Sequence, residues 1–154
     1  ELGRGSVFKV FLPRCDVDIE KRTERAPGLA AGGHETVLLV EDNAPLRNAV
    51  RRMLEGGGYQ VLEAQNADDA ADLAQRHASA LALLLTDVVM PQASGPEVAR
   101  AVQRFVPEIK LLFMSGHTDH AALNNSVLEG SANFIQKPFS PQMLGKRVRE
   151  AIDS

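Results

Sequence analysis

The stretch Leu83-Leu84-Leu85-Thr86-Asp87-Val88-Val89-Met90-Pro91 is an apolar run broken by a single acid. A short continuous run of this kind reads as a strand buried on both faces, and such strands belong to parallel sheets covered by helices. Asp87 then stands at the carboxyl edge of the sheet, and the crevice outside that edge is where open α/β folds place their chemistry. An aspartate at a strand end is ordinarily no more than a turn residue. Its meaning therefore depends on what the rest of the chain brings to the same edge.

On either side of this stretch, β-branched apolar segments alternate with helical periodicity. Thr36 to Val40 predicts a first strand, followed by a helix over Ala44 to Glu55 with Leu46, Ala49, Val50, Met53 and Leu54 inward and Gly56, Gly57 and Gly58 as its stop. Tyr59 to Ala64 predicts a second strand. Asn66 can cap the next helix, with Asp68 and Asp69 complementing its dipole and Ala67, Ala70, Leu73 and Ala74 facing in. Leu81 to Thr86 is the third strand. Ser94, Pro96 and Glu97 form a capping-box start for a helix whose inner face is expected to be Val98, Ala101, Val102 and Phe105. A fourth strand over Lys110 to Met114, a helix around Asp119 to Leu128, a short fifth strand over Asn133 to Gln136 and a helix opened by Ser140-Pro141 complete the series. Its inner positions are Leu144, Val148, Ala151 and Ile152. Five βα units in series predict a parallel sheet between two layers of helices.

Composition narrows the functional classes. The chain has 154 residues, 44% of them hydrophobic, enough for one domain and a tail but not for two cores. Net charge is −3 with basic and acidic residues interspersed, which argues against a nucleic-acid-binding face. No apolar run approaches the ~20 residues of a membrane span, so this segment is expected to make no membrane contact. A single cysteine, Cys15, excludes an internal disulfide and fits a cytoplasmic location. Residues 1–13 read as a glycine turn and a β-rich segment, 14–33 have the charged, Pro- and Gly-containing composition of a linker, and 34–154 form the α/β domain.

At one sheet edge the strand ends would gather Glu41, Asp42, Asp87, Ser115 and Lys137. Clustered carboxylates repel unless a hard divalent cation neutralises them, and oxygen ligands suit Mg2+. A lysine and a hydroxyl beside them would complement an anion added to one carboxylate, as in aspartyl phosphate chemistry.

The ordered set Leu38-Leu39-Val40-Glu41-Asp42-Asn43, Thr86-Asp87-Val88-Val89-Met90-Pro91, Met114-Ser115-Gly116 and Lys137-Pro138-Phe139 resembles that of response-regulator receiver domains over residues 36–153. The resemblance implies a flavodoxin-like, doubly wound five-stranded sheet and a role in a two-component phosphorelay. It implies that Asp87 accepts a phosphoryl group from a phosphohistidine. Asp42, Asp87 and the backbone carbonyl of Val89 would bind Mg2+, and Glu41, in place of the commoner aspartate, would hold a metal water or reach the metal itself. Ser115 would bond a phosphoryl oxygen, Lys137 would pair with the acceptor and its phosphate, and Phe134 would be the ring that reorients on activation. A cis Lys137-Pro138 bond is also implied. Partners would be a histidine kinase phosphodonor domain and a histidine phosphotransfer protein.

Gly3-Arg4-Gly5-Ser6-Val7-Phe8 running to Leu12-Pro13 resembles the last glycine box and closing strand of a sensor histidine kinase ATP-binding domain, which suggests a hybrid kinase as the parent. On that reading the present chain catalyses at most its own phosphotransfer and autodephosphorylation, and residues 1–13, an orphan strand, promote self-association. A stand-alone receiver is the nearest alternative. A haloacid-dehalogenase-like phosphatase would need a second aspartate at Val89 as acid and base. A Rossmann-type nucleotide binder would need a glycine-rich loop where Glu41-Asp42-Asn43 stands. His34, His77, His117 and His120 lack the surroundings of a phosphorylatable histidine, and His117 with His120 lack a third metal ligand.

Overall fold

β1 (Thr36–Val40) is buried along its whole length because it lies inside the sheet, hydrogen-bonded to β2 (Gln60–Ala64) on one side and β3 (Leu81–Asp87) on the other. β4 (Lys110–Ser115) and β5 (Asn133–Gln136) extend the sheet, so the order is β2-β1-β3-β4-β5 with every pairing parallel. These relations come from a computed structural model that describes residues 32–116 and 133–154. The expected strand within 1–13, nearly all of the 14–33 linker, the helix around Asp119 to Leu128 and the pair His117 and His120 lie outside the described residues.

The alternating side chains of the central strands feed two separate cores. Leu38, Val40, Leu84 and Phe113 pack on one face against α2 (Ala67–His77) and α3 (Gly95–Gln103). Val37, Leu39, Leu83, Leu85 and Leu112 pack on the other against α1 (Ala44–Gly56) and α4 (Pro141–Asp153). A strand apolar on both faces is what this double cover requires. The helix starts follow local chemistry. Asn43, Asn66 and Ser140 each accept a backbone N–H from inside the helix they open, and Ser94 and Glu97 close a capping box at α3. At the far end of α1 the chain turns through Gly58, whose φ of +93° lies in the left-handed region that glycine alone adopts cheaply.

One packing expectation fails. Phe105 is 39% exposed, and the inner face of α3 is Val98, Ala99 and Val102 rather than one running through Ala101 to Phe105. The helix ends at Gln103 with Arg104 as its C-cap, and Pro107, which has no N–H, cannot carry the helical bonding further. Val106 packs against the core instead.

The strand order reverses between β1 and β3, the two strands that end in acids. That crevice is the position where doubly wound sheets hold their ligands.

Candidate functional site

Each functional side chain stands where a strand stops. β1 ends at Val40, yet the N–H of Glu41 still donates to the Ala64 carbonyl at 3.2 Å, so the chain leaves the sheet with Glu41 tucked in and Asp42 pointing out. Glu41 is 1% exposed whereas Asp42 is an exposed residue. Asp87 closes β3 and is 9% exposed. The loops around it are pinned to the end of β4: Val88 N–H donates to the Met114 carbonyl at 3.0 Å and Lys137 N–H to the Ser115 carbonyl at 2.8 Å. The Lys137-Pro138 bond is cis, as the resemblance implies.

Lys137 joins the edge together. Its Nζ donates to Asp87 Oδ2 at 2.7 Å and to Glu41 Oε2 at 3.1 Å. The other oxygen of Glu41 accepts the Asn43 N–H at 3.2 Å, so both oxygens are engaged by the protein. Burial pushes the Glu41 carboxyl above its ordinary range, and the nearby Asp87 charge adds to this, against the pull of Lys137. Burial opposes the Lys137 ammonium too, but its hydrogen bond to Asp87 and the two carboxylate charges outweigh this and raise its pKa. The lysine therefore stays charged and holds two acids that would otherwise repel.

Glu41, Asp42 and Asp87 each offer a carboxylate oxygen, and these lie within 4.8 Å of one another. Such a set fits a hard divalent cation such as Mg2+. Glu41 is the least free of the three, since its oxygens already serve Lys137 and Asn43. An open groove of about 310 Å3 runs from Asp42 past Asn66 to Met90, Pro91 and Ala93, so the Asp42 side of the cluster faces solvent.

Ser115 is 4% exposed at the end of β4. Phe134 in β5 is half-buried and its ring stacks on Phe113, centroids 5.5 Å apart at 27°. The side chain of Val89 is 54% exposed and its carbonyl lies in the loop beside Asp87. Sequence reading thus brought together Glu41, Asp42, Asp87 and Lys137, and placed Ser115 and Phe134 on the adjoining strands. It missed Arg47, which binds the acidic turn from behind, and Gly95, where a Cβ would collide with the Asp87 carbonyl. A lone arginine on a polar helix face carries no sequence signal for the first, and a glycine at a helix start is too common to flag the second.

Three carboxylates and a lysine thus meet at the switch point of a doubly wound sheet, and comparison with known proteins shows which family has this fold. Residues 37–149 match the response regulator receiver domain, and the chain belongs to that family. It is 34% identical over 163 aligned positions to the sensor kinase CckA of Brucella abortus, an alignment covering 99% of this chain and 17% of that kinase. It is also 34% identical to the response regulator receiver protein CpdR of the same organism, over 75% of this chain and 95% of that protein. Among solved structures, the receiver domain of the hybrid histidine kinase CckA superimposes with a TM-score of 0.64 at 27% identity, over 76% of this chain and 98% of that one. The chain is thus a receiver domain of two-component signalling, and it spans only a small part of the kinase it resembles. Among the described residues no helix is long and apolar enough to cross a membrane.

Proposed function

We propose that Asp87 is the phosphoacceptor, receiving a phosphoryl group from a phosphohistidine. The observation that carries this reading is the two-way contact of Lys137 with Asp87 and Glu41 inside a cluster of three carboxylates. An Asp87 oxygen forms the new P–O bond as the P–N bond of the donor breaks, its electron pair going to the imidazole nitrogen. Lys137, already 2.7 Å from Asp87, stays paired with the anion as it acquires the phosphoryl group. Ser115 donates its hydroxyl to a phosphoryl oxygen, and Phe134 moves with it from its place on Phe113. Asp42, Asp87 and the Val89 carbonyl would hold Mg2+, and Glu41, whose oxygens also accept from Lys137 and Asn43, would stand beside them. Bound Mg2+ supplies the positive charge that screens the incoming anion from the carboxylates.

The alignment with the CckA sensor kinase reaches the N-terminal residues as well as the receiver, which favours a hybrid kinase as the parent. The donor is then the histidine-bearing domain of that kinase, a histidine phosphotransfer protein is a further partner, and the site works in the cytoplasm. Residues 1–13 belong on this reading to the kinase portion and promote self-association, which sedimentation with and without them tests. Against a phosphatase stands Val89, a hydrocarbon where the general acid and base is needed.

Intact mass after incubation with Mg2+ and a small acyl phosphate tests the central claim. One phosphoryl adduct is expected on the wild type and none on Asp87→Asn. Equal labelling of the two would remove Asp87 from the role, and equal labelling in excess chelator would remove the metal.

A further inference from the structure

Arg47 closes the acidic turn from behind. Its Nη1 donates to the Glu41 carbonyl at 2.6 Å and lies 3.4 Å from the Asp42 carbonyl, while its own N–H donates to the Asn43 carbonyl at 2.8 Å. The side chain thus reaches the carbonyls of Glu41 and Asp42, the residues from which two of the clustered carboxylates project, while the backbone bond to Asn43 is the first bond of α1 itself. The guanidinium is in turn paired with Glu63 of β2, Arg47 Nε lying 3.5 Å from Oε1, and Arg51 Nε lies 3.1 Å from the other Glu63 oxygen without a hydrogen bond to it. The arginine side chain is 17% exposed, so its stem is packed. Nothing in the sheet requires this contact: β1 has already ended, and α1 is capped by Asn43 without it.

We infer that Arg47 is the positioning residue of the cation site. It fixes the Glu41–Asn43 turn so that Asp42 and Glu41 face Asp87, it places a permanent positive charge behind two like-charged acids, and it touches neither cation nor phosphoryl group. Glu63 positions Arg47. The forked guanidinium suits this task because it can serve adjacent carbonyls from one plane, whereas a lysine ammonium at the same position is a point charge on a flexible stem. Residues behind metal ligands typically change metal affinity by about 10–100-fold when removed. The inference rests on the cation-dependent reading given above.

The test is Mn2+ binding, read as loss of the free-ion electron paramagnetic resonance signal, with thermal melting in excess chelator measured in parallel. Wild type, Arg47→Gln, Arg47→Lys and Glu63→Gln are compared. Arg47→Gln should weaken Mn2+ binding by roughly tenfold or more while its melting in chelator stays close to wild type, with Arg47→Lys between the two. Wild-type affinity in Arg47→Gln overturns the inference. So does a loss of affinity that merely follows a loss of melting temperature in both Arg47 variants, since that is general destabilisation. If Arg47→Gln does not fold, Glu63→Gln carries the test: it should weaken Mn2+ binding severalfold, and unchanged affinity overturns the inference. Absence of Mn2+ binding to the wild type would instead overturn the cation reading itself.

Discussion

Lys137 is a half-buried cation whose removal leaves Glu41 and Asp87 facing one another without a counter-charge. Lys137→Met should therefore lower stability in chelator by about 1–3 kcal/mol near neutral pH, and Mg2+ should restore much of it. Chemical denaturation with and without Mg2+ checks both statements. Glu41 gives a pH-dependent counterpart. Its folded pKa lies above the ordinary 4.5, chiefly through burial, so its contribution to stability is fully present below that value and is lost as pH rises through the higher folded one. Glu41→Gln never ionises, so in chelator it should be more stable than wild type near neutral pH and lose that advantage below pH 4.5. A variant less stable than wild type at neutral pH would show that the Lys137 contact outweighs the burial cost. These residues were legible in the sequence because acids and a lysine at strand ends are chemically loud. Arg47 was silent, because a side chain that binds backbone carbonyls does so without any partner residue type to announce it.

Among the elements, the end of β3 and the start of α3 come into close backbone approach at Gly95. The Gly95 N–H donates to the Val88 carbonyl at 2.9 Å, and a Cβ at position 95 would strike the Asp87 carbonyl and come within 3.1 Å of the Phe113 ring. Gly95→Ala should cost about 1–3 kcal/mol by overpacking, and because the strain falls on the Asp87 backbone it should also slow phosphorylation by a small acyl phosphate. Melting and labelling rate measured on one sample check this; a loss of stability with an unchanged rate would show that the loop absorbs the strain away from Asp87. The helix starts were readable from Asn66, Ser94 and Ser140, whose side chains act within their own turns. The inner face of α3 was not, because period alone carried it on to Phe105, whereas the helix ended first, at Gln103, and left that ring at the surface.

At the scale of the whole molecule, the two ends of the sheet do different work. The carboxyl end gathers the acids, and at the other end the N-terminal entry is held to α4: Arg149 Nη1 lies 2.7 Å from Glu35 Oε1, and Arg149 Nη2 lies 2.8 Å from Asp153 Oδ1. Gly33 N–H donates to the Gly57 carbonyl at 3.1 Å, and the chain at Gly33 runs against the buried Tyr59 ring. Composition placed a linker as far as Gly33 because charges alternate there with proline and glycine and no apolar period is sustained. The use of the glycines here is to let two backbone segments approach, a tertiary fact that no local pattern carries. The hydrogen bond from Arg149 holds the Glu35 carboxyl below its ordinary pKa of 4.5. A lowered folded value contributes stability above pH 4.5 that is lost as pH falls through the folded pKa. Arg149→Met should therefore melt a few degrees lower than wild type near neutral pH, with a deficit that narrows in acid below pH 4.5. Truncation locates the boundary independently. Removing residues 1–31 should leave the melting temperature unchanged, whereas removing residues 1–35 deletes the Gly33 hydrogen bond and the Glu35 ion pair together and should lower it. If both truncations melt like the full chain, the entry segment is merely laid on the domain, and the fold begins at Thr36.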